Sequence, residues 1–412
     1  MTSADRAVEH LLRTEAPQVL GALVRRFGHF DLAEDAVQEA LLAASRQWPA
    51  GGVPADPRGW LIRIGYRKLV DLLRAEQARR RREQRAAAGA VTPAGPVAAI
   101  DDSLTLLLLC CHPALEAAAQ VALTLRAVGG LSTAEIAHAY GIGEATMGAR
   151  ISRAKQRLVR AGARFTPPGE ADREARLAAV REVLYLVFNE GYLVSRGDRL
   201  GRVDLAHEAI RLARMLRAAA PADTEATGLL ALMLLTEARR PARTGTDGRL
   251  VPLPEQDRSR WDRRLLDEGV ALVEGVWGEP AAGPYRIQAA IAAVHAAAGT
   301  GADTDWPQIA ALYLGLEQVS PTAPVRLSRV VAVAQAYGAE RGLALLDELD
   351  ARHDLSGQEL TRQRERAVRA HLLETIGDHT AAAGLYREAA ALTSNTVEQR
   401  YLLGRAYRLG PL

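Results

Sequence analysis

The stretch best equipped for chemistry is LSTAEIAHAYGIGEATMGARISRAKQRL, residues 131–158. Ser132 or Thr133 can cap a helix with Glu135 in its first turn, while Ile136, Ala137 and Tyr140 give that helix an apolar face. Gly141 permits the left-handed turn into a second helix. Ala137 is small where two helices cross closely, Ile142 and Met147 fill the wedge, and Ile151 extends the buried stripe. This is helix-turn-helix spacing. Glu144, Thr146, Arg150, Arg153 and Lys155 then face outward from the second helix, with Thr133 at the start of the first. A helix of that diameter fits the DNA major groove, where such side chains meet base edges and phosphates.

Two other constellations precede it. The run DLAEDAVQEALLAASRQW, residues 31–48, carries Asp31, Glu34, Asp35, Gln38 and Glu39, a polar and negative helix face. The run DPRGWLIRIGYRKLVDLLR, residues 56–74, carries Arg58, Arg63, Arg67, Lys68 and Arg74, which can neutralise phosphates. It also holds Trp60 and Tyr66, aromatic surfaces of the kind that stack on unpaired bases. Each has a plainer reading: a solvated face for the carboxylates and a core anchor for Trp60.

The formal charge of +3 conceals an asymmetry between the halves. Residues 1–164 hold 22 Lys and Arg against 16 Asp and Glu, a net +6; residues 165–412 hold 30 against 33, a net −3. Within the first half the basic excess sits in two segments, 58–85 and 126–164, which suits two contacts with a polyanion.

The elements that must position these groups are helices. The chain has 412 residues, 48% hydrophobic but only 5% aromatic, and alanine, leucine and arginine crowd every segment. That bias favours helix over strand and a length of two or three domains. Apolar spacing predicts a helix from Ser3 to Arg26, or two broken near Pro17, a second opening on Asp31 as its cap, and a third opening at Asp56-Pro57. Residues 86–99, AAAGAVTPAGPVAA, read as a flexible linker. Helical periodicity resumes at Asp101 and continues through Leu115 to Leu125, stopping at Gly129-Gly130. Beyond Pro167-Pro168-Gly169 come repeated helices, among them Arg202 to Ala219, Thr224 to Arg239, Trp261 to Trp277 and Tyr285 to Ala298. ARTGTDGRLVPLP, from Ala242, reads as a small β-hairpin inserted between them around Asp247-Gly248.

The order and spacing of residues 5–165 resemble bacterial sigma factors of the extracytoplasmic-function class, in the sigma-70 family. The pieces that carry the likeness are Glu34-Asp35 followed by Val37-Gln38-Glu39, Trp60-Leu61 ahead of a basic helix, and Ala139-Tyr140-Gly141-Ile142 with Arg150-Ile151 and Arg153-Ala154-Lys155. The resemblance implies that Asp31, Glu34, Asp35, Gln38 and Glu39 bind core RNA polymerase, on the clamp helices of its largest catalytic subunit. It implies that Arg58, Trp60, Arg63, Tyr66, Arg67, Lys68 and Arg74 engage the minus-ten promoter element. It further implies that Thr133, Glu144, Thr146, Arg150, Arg153 and Lys155 read the minus-thirty-five element. The chain departs from the family at Gly148 and Ala149, where many relatives place a lysine and a serine, so promoter sequence does not carry over.

Gly377-Asp378, Ala382, Tyr386 and Ala389, within 371–395, repeat the small and large positions of a tetratricopeptide helical pair, and 205–221 is a weaker echo. With NEGY at Asn189, DRSRWD at Asp257 and DTDW at Asp303, the second half resembles the carboxyl-terminal extension of one sigma-factor group, which implies a regulatory domain. Glu190, Asp257, Arg258, His295, Asp303 and Asp305 can be read as lining a pocket, but helix caps and a buried histidine are the favoured reading. Cys110, Cys111 and His112 lack the spacing of a metal site, and adjacent cysteines do not bridge, so neither metal, cofactor nor disulfide is expected.

The expected fold is all-α. Residues 1–85 form a sigma domain, 86–100 a linker, 101–165 the helix-turn-helix domain and 170–412 a helical-hairpin, tetratricopeptide-like domain with the β-hairpin insertion. The expected function is promoter selection by a non-enzymatic, cytoplasmic protein, with core polymerase and promoter DNA as partners, no membrane, and contact between the sigma domains and the last domain. The alternative is a stand-alone helix-turn-helix regulator with a ligand-sensing repeat domain, which would bind duplex DNA without polymerase.

Overall fold

The computed structural model describes residues 3–83, 102–166, 168–192, 203–245 and 249–410. The expected linker 86–99 lies outside them. The described residues are helical, with no sheet, and they divide into two compact units, 1–186 and 187–412. No helix among them is long and apolar enough to cross a membrane.

The first unit begins with three packed helices: α1 (Ser3–Phe27), α2 (Phe30–Gly51) and α3 (Pro57–Glu83). Alanine at Ala33, Ala36, Ala40 and Ala44 gives α2 a thin buried stripe, against which Leu20 and Leu23 of α1 and Leu61 and Leu69 of α3 are buried. α1 runs through Pro17 as a single helix. Asp31 is not the cap of α2, a place taken by His29. It lies in the first turn, where its charge complements the helix dipole. Asp56 caps α3 as expected, its Oδ1 accepting the Gly59 N–H at 2.9 Å, with Pro57 at the first helical position.

The expected continuous helix after Asp101 is instead two, α4 (Ser103–Cys110) and α5 (Ala117–Ala127). Pro113 supplies no N–H and disfavours helical backbone at His112 before it, so the chain breaks there. The start of α4 is tied to α1 by an Arg25–Asp102 ion pair and by Gln18 donating to Ser103 Oγ at 2.9 Å. α6 (Thr133–Ala139) and α7 (Glu144–Arg160) follow, and α8 (Glu170–Tyr192) contains the division between the units.

The second unit is a succession of helices packed mainly on their sequence neighbours, with α10 also against α12 and α14 against α16. It comprises α9 (Val203–Ala219), α10 (Thr224–Glu237), α11 (Arg263–Trp277), α12 (Pro284–Ala297), α13 (Trp306–Val319), α14 (Ala323–Tyr337), α15 (Ala339–His353), α16 (Glu359–Thr375), α17 (His379–Leu392) and α18 (Thr396–Leu409). Its core is segmented into small clusters rather than one centre, as stacked helical hairpins require. Ala382, Tyr386 and Ala389 are buried where α17 meets its neighbours, and Asp378 caps α17.

The expected β-hairpin at 242–254 is not seen among the described residues. Thr244 and Leu250 make one isolated antiparallel bridge, and 246–248, with the Asp247-Gly248 tip, lie outside the described residues. The arms are too short for a ladder: a 3-10 turn, Arg240–Ala242, occupies the upstream side, while Pro252 and Pro254 remove donors downstream.

Candidate nucleic-acid interface

The helix-turn-helix is built as its residues dictate. Ser132 Oγ accepts the Glu135 N–H at 3.1 Å, and Glu135 Oε2 accepts the Ser132 N–H at 2.7 Å, a reciprocal capping box that fixes the start of α6. Gly141 turns the chain at φ +60°, where a side chain would be strained. Ile136, Ala137, Met147 and Ile151 are buried, joined by Ala154 and Leu158. Glu144, Thr146 and Arg153 are exposed along α7, Arg150 is half-buried, and Thr133 is half-buried beside Gly148.

On α3, Arg63, Arg67, Lys68 and Arg74 are exposed. Arg58 donates through Nε to Glu15 at 2.6 Å, and Lys68 lies 3.9 Å from Glu39. Trp60 is half-buried, edge-on to buried Trp48 with ring centroids 5.5 Å apart, and Tyr66 leans on Phe27 at 5.4 Å. Both rings are thus anchored on one side.

The decisive placement concerns the acidic helix. Asp35 and Glu39 are exposed on α2, and Asp31 and Gln38 are half-buried, but Glu34 is 1% exposed. Its carboxylate lies 2.8 Å from Arg126 Nε of α5 and 2.5 Å from Lys155 Nζ of α7, and Lys155 also reaches Asp35 at 3.3 Å. One residue expected to face a protein and one expected to face DNA therefore neutralise each other. A cleft of about 500 Å3 beside this pair is walled by Asp31, Asp35, Thr133, Gly148, Ser152 and Gln156. Arg126 was not legible as a site residue, although a lone cation on the apolar helix Ala117–Ala127 signals a buried partner.

Residues 11–79 match the family description "Sigma-70 region 2", and residues 105–158 match "Sigma-70, region 4". The chain belongs to the sigma-70 family of sigma factors. Residues 176–277 of this sigma factor match a family of unknown function, DUF6596. An uncharacterized protein of Rhizobium meliloti (strain 1021) is 40% identical over 403 residues, which covers 96% of this chain and 94% of that protein. No solved structure matches. Regions 2 and 4 give the sigma factor a DNA-binding role in transcription initiation, with core RNA polymerase and promoter DNA as its interaction partners.

The polar clusters of the sigma factor's second half mostly build structure. Asp305 caps α13, accepting the Gln308 N–H at 2.9 Å. Asp257 caps a 3-10 turn, accepting from Ser259 N at 3.0 Å, while α11 is capped by Asp262 instead. Asp303 is no helix cap; it accepts from Thr300 N at 3.0 Å and Oγ1 at 2.7 Å. Arg258 donates to the carbonyls of His295 at 2.5 Å and Ala298 at 2.6 Å. Around Asn189–Tyr192, Arg243 donates to the Tyr192 carbonyl at 2.6 Å and its guanidinium lies 3.7 Å from the Tyr192 ring centroid. Glu190 is half-buried in the same stretch, and Gly191 passes so close to Ala206 that any side chain there meets backbone. Of the expected cluster, His295 lines a cavity.

Burial, together with the charges of Arg239 and Arg258, pulls His295 down from 6.5 to about 4. Between those values the unfolded chain binds a proton that the folded unit refuses, so stability falls as pH drops through this window. The largest such effect is about 3 kcal/mol. Urea unfolding at pH 7 and pH 4.5 should show a smaller loss for His295→Gln than for the native chain.

Cys110 and Cys111 are fully buried, and burial pushes the Cys111 thiol up to about 12. His112 Nδ1 accepts the Ala114 N–H at 3.1 Å. No cluster of three metal-ligating side chains occurs among the described residues.

Proposed function

We propose that this sigma factor is closed when free and opens to select promoters. In the open form Asp31, Glu34, Asp35, Gln38 and Glu39 dock on core polymerase. The α3 cations Arg58, Arg63, Arg67, Lys68 and Arg74, with Trp60 and Tyr66, capture the minus-ten element as its strands part. Thr133, Glu144, Thr146, Arg150, Arg153 and Lys155 engage the minus-thirty-five element as duplex. The working divisions are 1–85, 101–165 and 170–412, with 86–100 as the joint. The last division, net negative against a basic first half, restrains or licenses the other two.

The observation that carries this reading is the burial of Glu34 between Arg126 and Lys155. The pairing masks a polymerase contact and a DNA contact together, so gripping the polymerase and freeing the DNA-binding helix become one event. Gly148, which has no side chain to fill it, lines the same cleft.

The test is co-elution of the full chain with core polymerase, followed by footprinting on a promoter the complex transcribes. The expected result is a stable complex, two protected patches and reactive unpaired thymines only when polymerase is present. Glu34→Lys with Asp35→Lys should abolish co-elution, and its retention overturns the docking assignment. A single protected patch without strand opening overturns the two-element assignment.

A further inference from the structure

The second unit contains a cavity of about 550 Å3 that the transcription role leaves unused. Its walls come from parts of the chain far apart in sequence: the 3-10 turn Leu253–Glu255, then α12, α13 and α14, and finally α16 and α18. Loops and helices separated by 150 residues converge on one space of the size that small-molecule sites occupy, about 300–1,000 Å3.

The lining has the composition of such a site. Trp306, Tyr313 and Tyr401 provide aromatic surface, and Val331 and Ala332 aliphatic surface. Glu255, His295, Ser328, Gln335, His371 and Arg405 supply its polar groups. His295 is 8% exposed, stands edge-on to Trp306 at 5.2 Å, and its Nδ1 is buried without a hydrogen-bond partner. Buried ring nitrogens in folded proteins are almost always satisfied, so an orphan on a cavity wall points to a missing ligand atom. Arg405 is held by Glu374 and donates to Tyr401 Oη at 3.3 Å, but its Nε is likewise buried without a partner.

The charges around the cavity select the sign of the ligand. Glu374 is committed to Arg405 and to the Tyr386 hydroxyl, and Glu255 is exposed at the rim. Arg239 and Arg258 oppose a positive charge on His295, and Arg405 opposes one on His371, with Glu374 acting the other way. Glu255 and Glu374 act on Tyr401 in the opposite sense, so the positive charge gathers at the His295 end, where an anionic group is favoured over a cation.

We propose that this cavity binds a small aromatic carboxylate, its ring among Trp306, Tyr313 and Tyr401 and its carboxylate toward His295 and Arg405. Neutral His295, in the tautomer with hydrogen on Nδ1, donates to the carboxylate, and Arg405 Nε supplies a second, charge-assisted donor. Binding is independent of the transcription reading; only a regulatory consequence would rest on it.

The test uses the full chain, without polymerase or DNA, so its failure leaves the promoter role untouched. 1-Anilinonaphthalene-8-sulfonate serves as the fluorescent aromatic anion. The expected result is one saturable site from which 1-naphthoate displaces the probe at least tenfold better than 1-naphthamide. Ser328→Trp, which grows into the space from its half-buried wall, should weaken binding at least tenfold, and His295→Phe should weaken 1-naphthoate at least fivefold. Should Ser328→Trp fail to fold by circular dichroism, Gln335→Trp fills the cavity from its exposed side. Several equivalent probe sites, or unchanged affinity in a folded cavity-filling variant, would overturn the site. Equal displacement by the amide, or an unaffected His295→Phe, would overturn the carboxylate assignment.

Discussion

Replacing Arg126 with methionine is expected to open the first unit and to tighten its association with core polymerase. Arg126 holds Glu34 at 2.8 Å with its own side chain 16% exposed, and Lys155 holds the same carboxylate from the other side at 2.5 Å with 13%. Salt screens such a pair less than an exposed one, because both partners are largely buried. Breaking one buried partnership costs about 3–5 kcal/mol, and with Lys155 still in place the lower figure applies. A change near 3 kcal/mol moves the closed-to-open ratio by roughly a hundredfold. Glu34→Gln should open the unit as well, by leaving two cations face to face. The two variants diverge at the polymerase: Arg126→Met retains every proposed docking carboxylate and binds more tightly, whereas Glu34→Gln loses one and binds more weakly. Spin labels at Ser45→Cys on α2 and Val159→Cys on α7 would report the opening. Cys110 and Cys111, both 0% exposed, escape labelling. If both variants bind polymerase more tightly, Glu34 has no docking role; if both bind more weakly, the Arg126–Glu34 pairing does not restrain docking.

What could be read from the chain alone was whatever local chemistry decides. The capping box at Ser132 and Glu135, the turn at Gly141, and the Asp56-Pro57 helix start are each settled within four residues, and each is found as expected. The break at Pro113 was equally local but was obscured by the apolar run 104–111, whose periodicity carries a reader past a missing donor. Long-range pairings left weaker marks. Glu34 sits on the same stripe as Ala33 and Val37, and nothing in α2 itself names the Arg126 and Lys155 that make its burial tolerable. The second-unit cavity is further still from sequence, since Leu253, His295, Ser328 and Arg405 meet only through the stacking of α12 to α18.

These long-range pairings share a physical character: a charge placed where it cannot stay alone. Glu34 is matched by two cations, and Arg258 by the carbonyls of His295 and Ala298. Glu237 is matched by Arg240 at 2.5 Å and His207 at 3.4 Å, which hold its carboxyl below the usual range although burial pushes the other way. In helices with so many alanines, apolar packing is shallow and fits many registers. Buried charges specify one, because a displaced neighbour leaves them unpaired.

Arg286 tests that idea most severely, and its loss is the largest stability change expected in the second unit. It is 2% exposed on α12, and its guanidinium has no carboxylate among its hydrogen-bond partners. Its guanidinium donates to the carbonyls of Val276 at 2.5 Å, Glu279 at 2.6 Å and Pro280 at 3.3 Å. These oxygens belong to the end of α11 and the turn after it, where carbonyls lack helical donors and the helix dipole is negative. Arg286→Met keeps the stem's packing but strands the Glu279 and Pro280 carbonyls, each worth about 1–3 kcal/mol when buried and unmatched, while the Val276 carbonyl keeps the Glu279 N–H at 3.3 Å. Partial rehydration at the turn reduces the sum, so a loss of roughly 2–4 kcal/mol is expected in urea unfolding followed by far-UV circular dichroism. Arg286→Lys should recover part of it, because a single ammonium keeps the charge but cannot span three carbonyls with a planar fork. A loss below about 1 kcal/mol for the methionine variant would mean that water replaces the guanidinium at the end of α11. The junction of α11 with α12 would then be held by apolar contact alone.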